Sequence, residues 1–123
     1  MELLKDDGLV KNIGSSNIGV STLRDVLSYC KHKPTVVQVE LHPYNTNVNL
    51  LRFCREKDIK VISYSSLGSG SYVDIDMATK DQNCLEEQLI KDLASKYNKS
   101  PAQVVLRWAI QRGTAVIPKS VKF

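Results

Sequence analysis

The sequence predicts an α/β fold built on a parallel sheet. Three observations carry this expectation. Short apolar runs rich in β-branched residues alternate with segments of 3.6-residue apolar spacing. The first three runs centre near residues 12, 38 and 62, which is the repeat of a strand joined to the next by a crossover helix. The runs lack strict apolar–polar alternation, a pattern that suits strands covered on both faces.

Residues 1–8 read as the tail of a helix that Gly8 stops. A strand is expected over Val10–Ile13, ending at Gly14-Ser15-Ser16-Asn17. Val20, Leu23, Val26, Leu27 and Cys30 then follow a helical stripe. The second strand is Val36–Leu41. Leu50, Leu51 and Cys54 make a weaker helical stripe, and the third strand is Lys60–Tyr64.

A polar, glycine-bearing stretch, Ser65–Asn83, comes next. A loop of that length inside a compact domain is usually functional, and it reads as a mobile flap over a ligand. Leu85, Leu89 and Leu93, with Ile90, Ala94 and Tyr97, form a strong helical stripe. The next helix has the clearest start in the chain: Ser100 can cap, Pro101 suits the first helical position and Gln103 completes a capping box. Its stripe is Val105, Leu106, Ala109 and Ile110, and Gly113 stops it. The last strand is Thr114–Ile117, closed by Pro118.

Composition narrows the class. The chain has 123 residues with 42% apolar and 24% charged side chains, which suits a globular domain and excludes a disordered one. A net charge of +4 is too weak to imply nucleic acid. No apolar run approaches the roughly 18 residues of a membrane span, and the N-terminal residues lack the pattern of a signal peptide. Cys30, Cys54 and Cys84 are widely spaced and form no zinc-like set, so no metal is expected and the thiols read as reduced, in a cytoplasmic protein. The order β-α-β-α-β-loop-α-α-β begins inside one βα unit and stops inside another. Four strands cannot close a barrel that needs about 250 residues, so a piece of a larger domain is expected.

Polar residues gather at the C-terminal ends of the strands, where parallel α/β folds place function. The four ends read Gly14-Ser15-Ser16-Asn17, Gln38-Val39-Glu40-Leu41-His42-Pro43-Tyr44, Tyr64-Ser65-Ser66-Leu67-Gly68-Ser69 and Ile117-Pro118-Lys119-Ser120-Val121. In this order and spacing, together with Gly8–Gly14 and Ser100–Trp108, they resemble the NADP-dependent aldo-keto reductases. The resemblance covers essentially the whole chain. It implies a partial (β/α)8 TIM barrel, four parallel βα units corresponding to strands five to eight, with the N-terminal half and C-terminal tail missing from residues 1–123.

The resemblance implies NADP(H) as cofactor and a small-molecule carbonyl substrate, with no nucleic acid or membrane as partner. Ser16, Asn17 and Gln38 match the residues that hold the nicotinamide carboxamide, and Tyr64 matches the one that stacks on its ring. Ser65, Leu67 and Ser69 match the stretch that wraps the pyrophosphate. Ile117, Lys119, Ser120 and Val121 match the end that meets the adenosine phosphate. Taken alone, these residues also suit turn chemistry, core packing or a solvated surface. Ser15, Ile18 and Ser66 depart from the commoner family residues, which are Ile or Val, an aromatic, and Pro.

The family's catalytic Asp, Tyr, Lys and His match no position here, so no catalytic residue is assigned and the chain alone is expected to be inactive. Alternatives are a non-catalytic or degenerate nucleotide-binding relative, and a half-barrel that works only by pairing with itself or another half. His42 is expected to be structural, His32 a solvated loop residue and Trp108 a packing residue.

Overall fold

In the computed structural model the described residues are 1–68, 70–73, 76–77, 79 and 83–119. Helices α1 (Glu2–Asp6), α2 (Val20–Tyr29), α3 (Val48–Glu56), α4 (Gly70–Val73), α5 (Gln88–Tyr97) and α6 (Pro101–Gln111) accompany strands β1 (Gly14–Ser16), β2 (Val36–Glu40), β3 (Lys60–Tyr64) and β4 (Thr114–Val116). A 3-10 turn spans Cys84–Glu86. The four parallel strands form one sheet in the order β1-β2-β3-β4, as part of a (β/α)8 barrel would. Each strand therefore lies beside its sequence neighbour, the arrangement that short right-handed crossovers produce. Among the described residues no helix is long and apolar enough to cross a membrane.

The first strand begins later than its apolar residues suggest. The amides of Leu9 and Val10 both return to Leu4 O, at 2.9 and 3.2 Å, and cap α1. They are spent before the ladder starts, so pairing opens at Gly14↔Val36 and runs through Ser15↔Val37 to Ser16↔Gln38. Gly8, at φ +73°, makes the left-handed turn that ends the α1 region, as the sequence predicts.

Two compact units divide the chain: Met1–Val39 with Asn47–Ile62, and Glu40–Thr46 with Ser63–Phe123. In the first, α2 buries Leu23 and packs on α3, which buries Leu50, Leu51, Phe53 and Cys54. The guanidinium of Arg24 lies 5.5 Å from the Phe53 ring centre. Asp6 accepts from His32 Nε2 at 2.7 Å and from Lys31 Nζ at 2.8 Å, while the His32 amide donates to Glu2 at 2.7 Å. His32 is thus half-buried and paired rather than a solvated loop residue, because the acidic side chains of α1 reach the segment before β2.

In the second unit, α6 packs against α5 and β4. Its capping box forms in both directions: the Gln103 amide donates to Ser100 Oγ at 3.2 Å and the Ser100 amide to Gln103 Oε1 at 2.9 Å. Cys84, Ile90 and Val105 make a buried cluster with Leu67, Leu85 and Val104 around it. The α5 stripe is only partly used. Ile90 and Ala94 are buried, whereas Leu89 and Tyr97 are exposed. Trp108 is half-buried under the Arg112 guanidinium, 4.5 Å from its ring centre, which supports the packing role. The long polar stretch is not all loop: it contains α4, and the Met77 amide, beyond that helix, returns to Tyr72 O at 2.9 Å.

The strands are not covered equally on both faces. Along β2, Val37 and Val39 are buried while Val36, Gln38 and Glu40 are half-buried. Along β3, Val61 and Ser63 are buried while Ile62 and Tyr64 are half-buried. The two-residue period of a strand places Gln38, and separately Tyr64, on the more open face of its own strand.

Candidate functional site

In the first unit, Ser16, Asn17 and Gln38 come together. Parallel register sets Ser16 directly beside Gln38, so both lie on the half-open face of their strands. The chain leaves β1 at Asn17, whose φ of +55° is left-handed. Asn tolerates that region because its short polar side chain bonds locally. The Asn17 amide donates to Gln38 O at 2.9 Å, which fixes the strand end against β2. Ser16 and Asn17 are exposed and Gln38 half-buried. A hydroxyl and two amide side chains offer donors and acceptors in the mixture that a carboxamide needs.

In the second unit, Tyr64, Ser65 and Leu67 come together at the end of β3. Tyr64 O accepts from the Leu41 amide at 3.3 Å. Ser65 turns the chain with φ +46°, and the Gly68 amide closes the turn on Ser65 O at 2.8 Å. Ser65 Oγ lies 3.4 Å from the Tyr72 hydroxyl. Ile117 reaches the same strand end: its amide donates to Ser63 O at 3.2 Å. Lys119 follows and is exposed. Ser69, Ser120 and Val121 lie outside the described residues.

The sequence did not disclose the groups that support these ends. His42 is buried, with Nε2 3.1 Å from Glu40 Oε1, and its backbone exchanges hydrogen bonds with Asn45 at 3.2 and 2.9 Å. A carboxylate can only accept, so Nε2 carries the proton in that pair. Nδ1 is buried with no hydrogen-bond partner among the described residues. This arrangement fits a structural histidine. The Tyr44 hydroxyl donates to Glu87, and Arg112 donates to Thr46 O at 2.7 Å, so residues just after β2 are tied to α5 and to the end of α6.

Ser63 and Ser66 are buried and bonded to each other, and the Cys84 thiol donates to Leu67 O at 3.3 Å. Burial pushes the Cys84 and Cys54 thiols up from their ordinary values. A burial pattern at these positions was readable, but partners 17 to 66 residues apart were not. Among the described residues no group of three or more His, Cys, Asp or Glu could hold a metal ion.

Comparison with known proteins gives these strand ends a context. The aldo/keto reductase family profile matches residues 1–123. The chain is 43% identical over 122 residues to the 4-dihydromethyl-trisporate dehydrogenase of Mucor mucedo, covering 98% of this chain and 38% of that protein. It is 44% identical over 122 residues to a probable NAD(P)H-dependent D-xylose reductase of Emericella nidulans, with the same coverage. It is 42% identical over 125 residues to the NADPH-dependent aldose reductase of Saccharomyces cerevisiae, covering 99% of this chain and 38% of that protein. The chain spans a little over a third of the length of these relatives. With a family match along its whole length and polar residues gathered at parallel strand ends, the chain belongs to the aldo/keto reductase family.

Proposed function

We propose that residues 1–123 form the cofactor-binding part of an NADP(H)-dependent reductase that converts aldehyde or ketone carbonyls of small molecules to alcohols. The observation that carries this reading is the Ser16↔Gln38 register with Asn17 folded back on Gln38 O, a mixed donor–acceptor set at the end of two parallel strands. Relatives named for NAD(P)H-dependent sugar reduction support the cofactor and the substrate class.

In this reading Ser16, Asn17 and Gln38 hold the nicotinamide carboxamide, each polar atom finding a partner of opposite sense. Tyr64 stacks on the ring, a contact that adds roughly 0.5–1.5 kcal/mol beyond burial. Ser65, Leu67 and Ser69 meet the pyrophosphate through hydroxyls and main-chain amides. Ile117, Lys119, Ser120 and Val121 meet the adenosine end, where the ammonium of Lys119 suits a phosphate. NADP(H), when bound, supplies the hydride.

No side chain here is assigned to proton transfer to the carbonyl oxygen. His42 is occupied by Glu40, and Tyr64 and Lys119 are assigned to the cofactor. The 123-residue chain by itself is therefore inactive, and the Asp, Tyr, Lys and His of the family chemistry come from outside it. The three free thiols fit a reducing cytoplasmic setting.

The test is NADPH titration of the protein carrying this segment, followed by fluorescence, for wild type and for Gln38→Ala. Saturable binding weakened about tenfold by the substitution, the loss of charge-free hydrogen bonds worth roughly 1.4 kcal/mol, supports the reading. Absence of binding by wild type rejects it.

A further inference from the structure

The turn after β3 is held from its buried side by groups to which the proposed cofactor contacts assign no role. Ser63, fully buried in β3, donates its hydroxyl hydrogen to Leu41 O at 2.7 Å. A serine has one such hydrogen. Ser66 likewise has one, and its hydroxyl donates to Ser63 O at 2.8 Å while lying 2.8 Å from Ser63 Oγ. Ser66 is 1% exposed, so these bonds replace water rather than compete with it.

On the other side of the turn, Cys84 donates to Leu67 O at 3.3 Å. The same sulfur occupies the space beside Gly68, where a Cβ would stand only 2.8 Å from it. Ser65 and Gly68 both sit at left-handed φ, +46° and +81°. A non-glycine residue held there needs surroundings that fix it, and Ser66 and Cys84 are the side chains that supply them.

We propose that Ser66 and Cys84 are positioning residues for cofactor binding: they lock the Ser65–Gly68 turn in one conformation without touching the cofactor. This rests on the reading that Tyr64, Ser65 and Leu67 meet the dinucleotide. Loosening the lock lowers the fraction of molecules whose turn is competent, and apparent affinity falls in the same proportion. The reacting groups are untouched, so turnover at saturating cofactor is preserved.

The experiment uses the full-length protein that carries this segment, as wild type, Ser66→Ala, Ser66→Thr, Cys84→Ala and Cys84→Ser. It measures NADPH dissociation constants, KM and kcat, and hydrogen exchange of the turn amides without cofactor. Ser66→Ala is expected to raise the NADPH Kd and KM roughly fivefold, the effect of one hydrogen bond. It speeds exchange of the Gly68 amide and leaves kcat unchanged. Ser66→Thr keeps the hydroxyl and moves both readouts back towards wild type. Cys84→Ala gives a smaller change in the same sense, which Cys84→Ser reverses.

A lowered kcat with unchanged Kd marks Ser66 as merely structural and overturns the proposal. So does unchanged Gly68 exchange in both alanine variants. If wild type binds no NADPH, the cofactor reading falls and takes the functional half of the proposal with it. The exchange data still decide separately whether the two side chains lock the turn.

Discussion

Gly14, in the first unit, and Gly68, in the second, are each pressed against a neighbour of a different kind. A Cβ on Gly14 would lie 2.6 Å from Val36 Cγ1 and 2.8 Å from Val36 O. One on Gly68 would lie 2.8 Å from the Cys84 sulfur, at a φ that L side chains rarely adopt. The first contact is partly with main chain that is itself paired in the sheet and has nowhere to go. The second is with a single side chain that can be trimmed. The strand end in the first unit is thus set by the ladder between strands, and the turn in the second by side chains packed under it.

Substitutions should separate these two constructions. Gly14→Ala is expected to cost the most, about 3 kcal/mol, because a carbonyl in a ladder cannot yield to an overpacked atom. Denaturant unfolding measures it, and a loss below about 1 kcal/mol would remove the distinction. Gly68→Ala is expected to cost about 2 kcal/mol from the left-handed backbone and the thiol contact. Combining it with Cys84→Ala should cost less than the sum of the two single changes, since the pair share one contact. Strict additivity would place the strain in the backbone alone.

Ser100→Ala is a control outside both regions: it removes half of the capping box and should lower stability by about 1 kcal/mol, with NADPH affinity unchanged. The smallest effect is electrostatic. Hydrogen bonds from His32, then Lys31, hold the Asp6 carboxyl below its ordinary value of 3.8. A depressed folded-state value means the stabilisation is present above the unfolded value and fades as pH falls through and below it. Asp6→Asn should therefore lower stability slightly above about pH 4 and flatten the acid limb, the two proteins converging as pH falls further. An acid limb identical to wild type would show that the pair contributes nothing.

Local signals were legible where both partners lay within a few residues. The Ser100–Gln103 box located α6, and β3 fell on Lys60–Tyr64 as read. The order of the four strand ends carried the family resemblance, and the register then brought Ser16 beside Gln38. What stayed hidden depended on distant partners or on competition. Val10 and Leu9 have strand-like side chains, but their amides were already claimed by the end of α1. The apolar period of α5 was visible, yet it could not tell that Leu89 would remain exposed while Ile90 was covered. His32 looked solvated because its partner Asp6 lies 26 residues away. The Ser63–Ser66 pair was invisible because small hydroxyl residues in a turn usually face water.

The missing side chain of Gly14 also acts as a key. Sliding β1 along β2 by two residues would bring Asn12 or Ser16 opposite Val36 on the same face, each carrying a Cβ where Gly14 has none. Among these same-face alignments, only the observed one leaves the lock free to turn. The neighbourhood of Ser16 and Gln38, on which recognition of a carboxamide would depend, is copied from an empty space two residues upstream. The absence of a Cβ at Gly14 thus helps to hold the polar pair two residues further on in step.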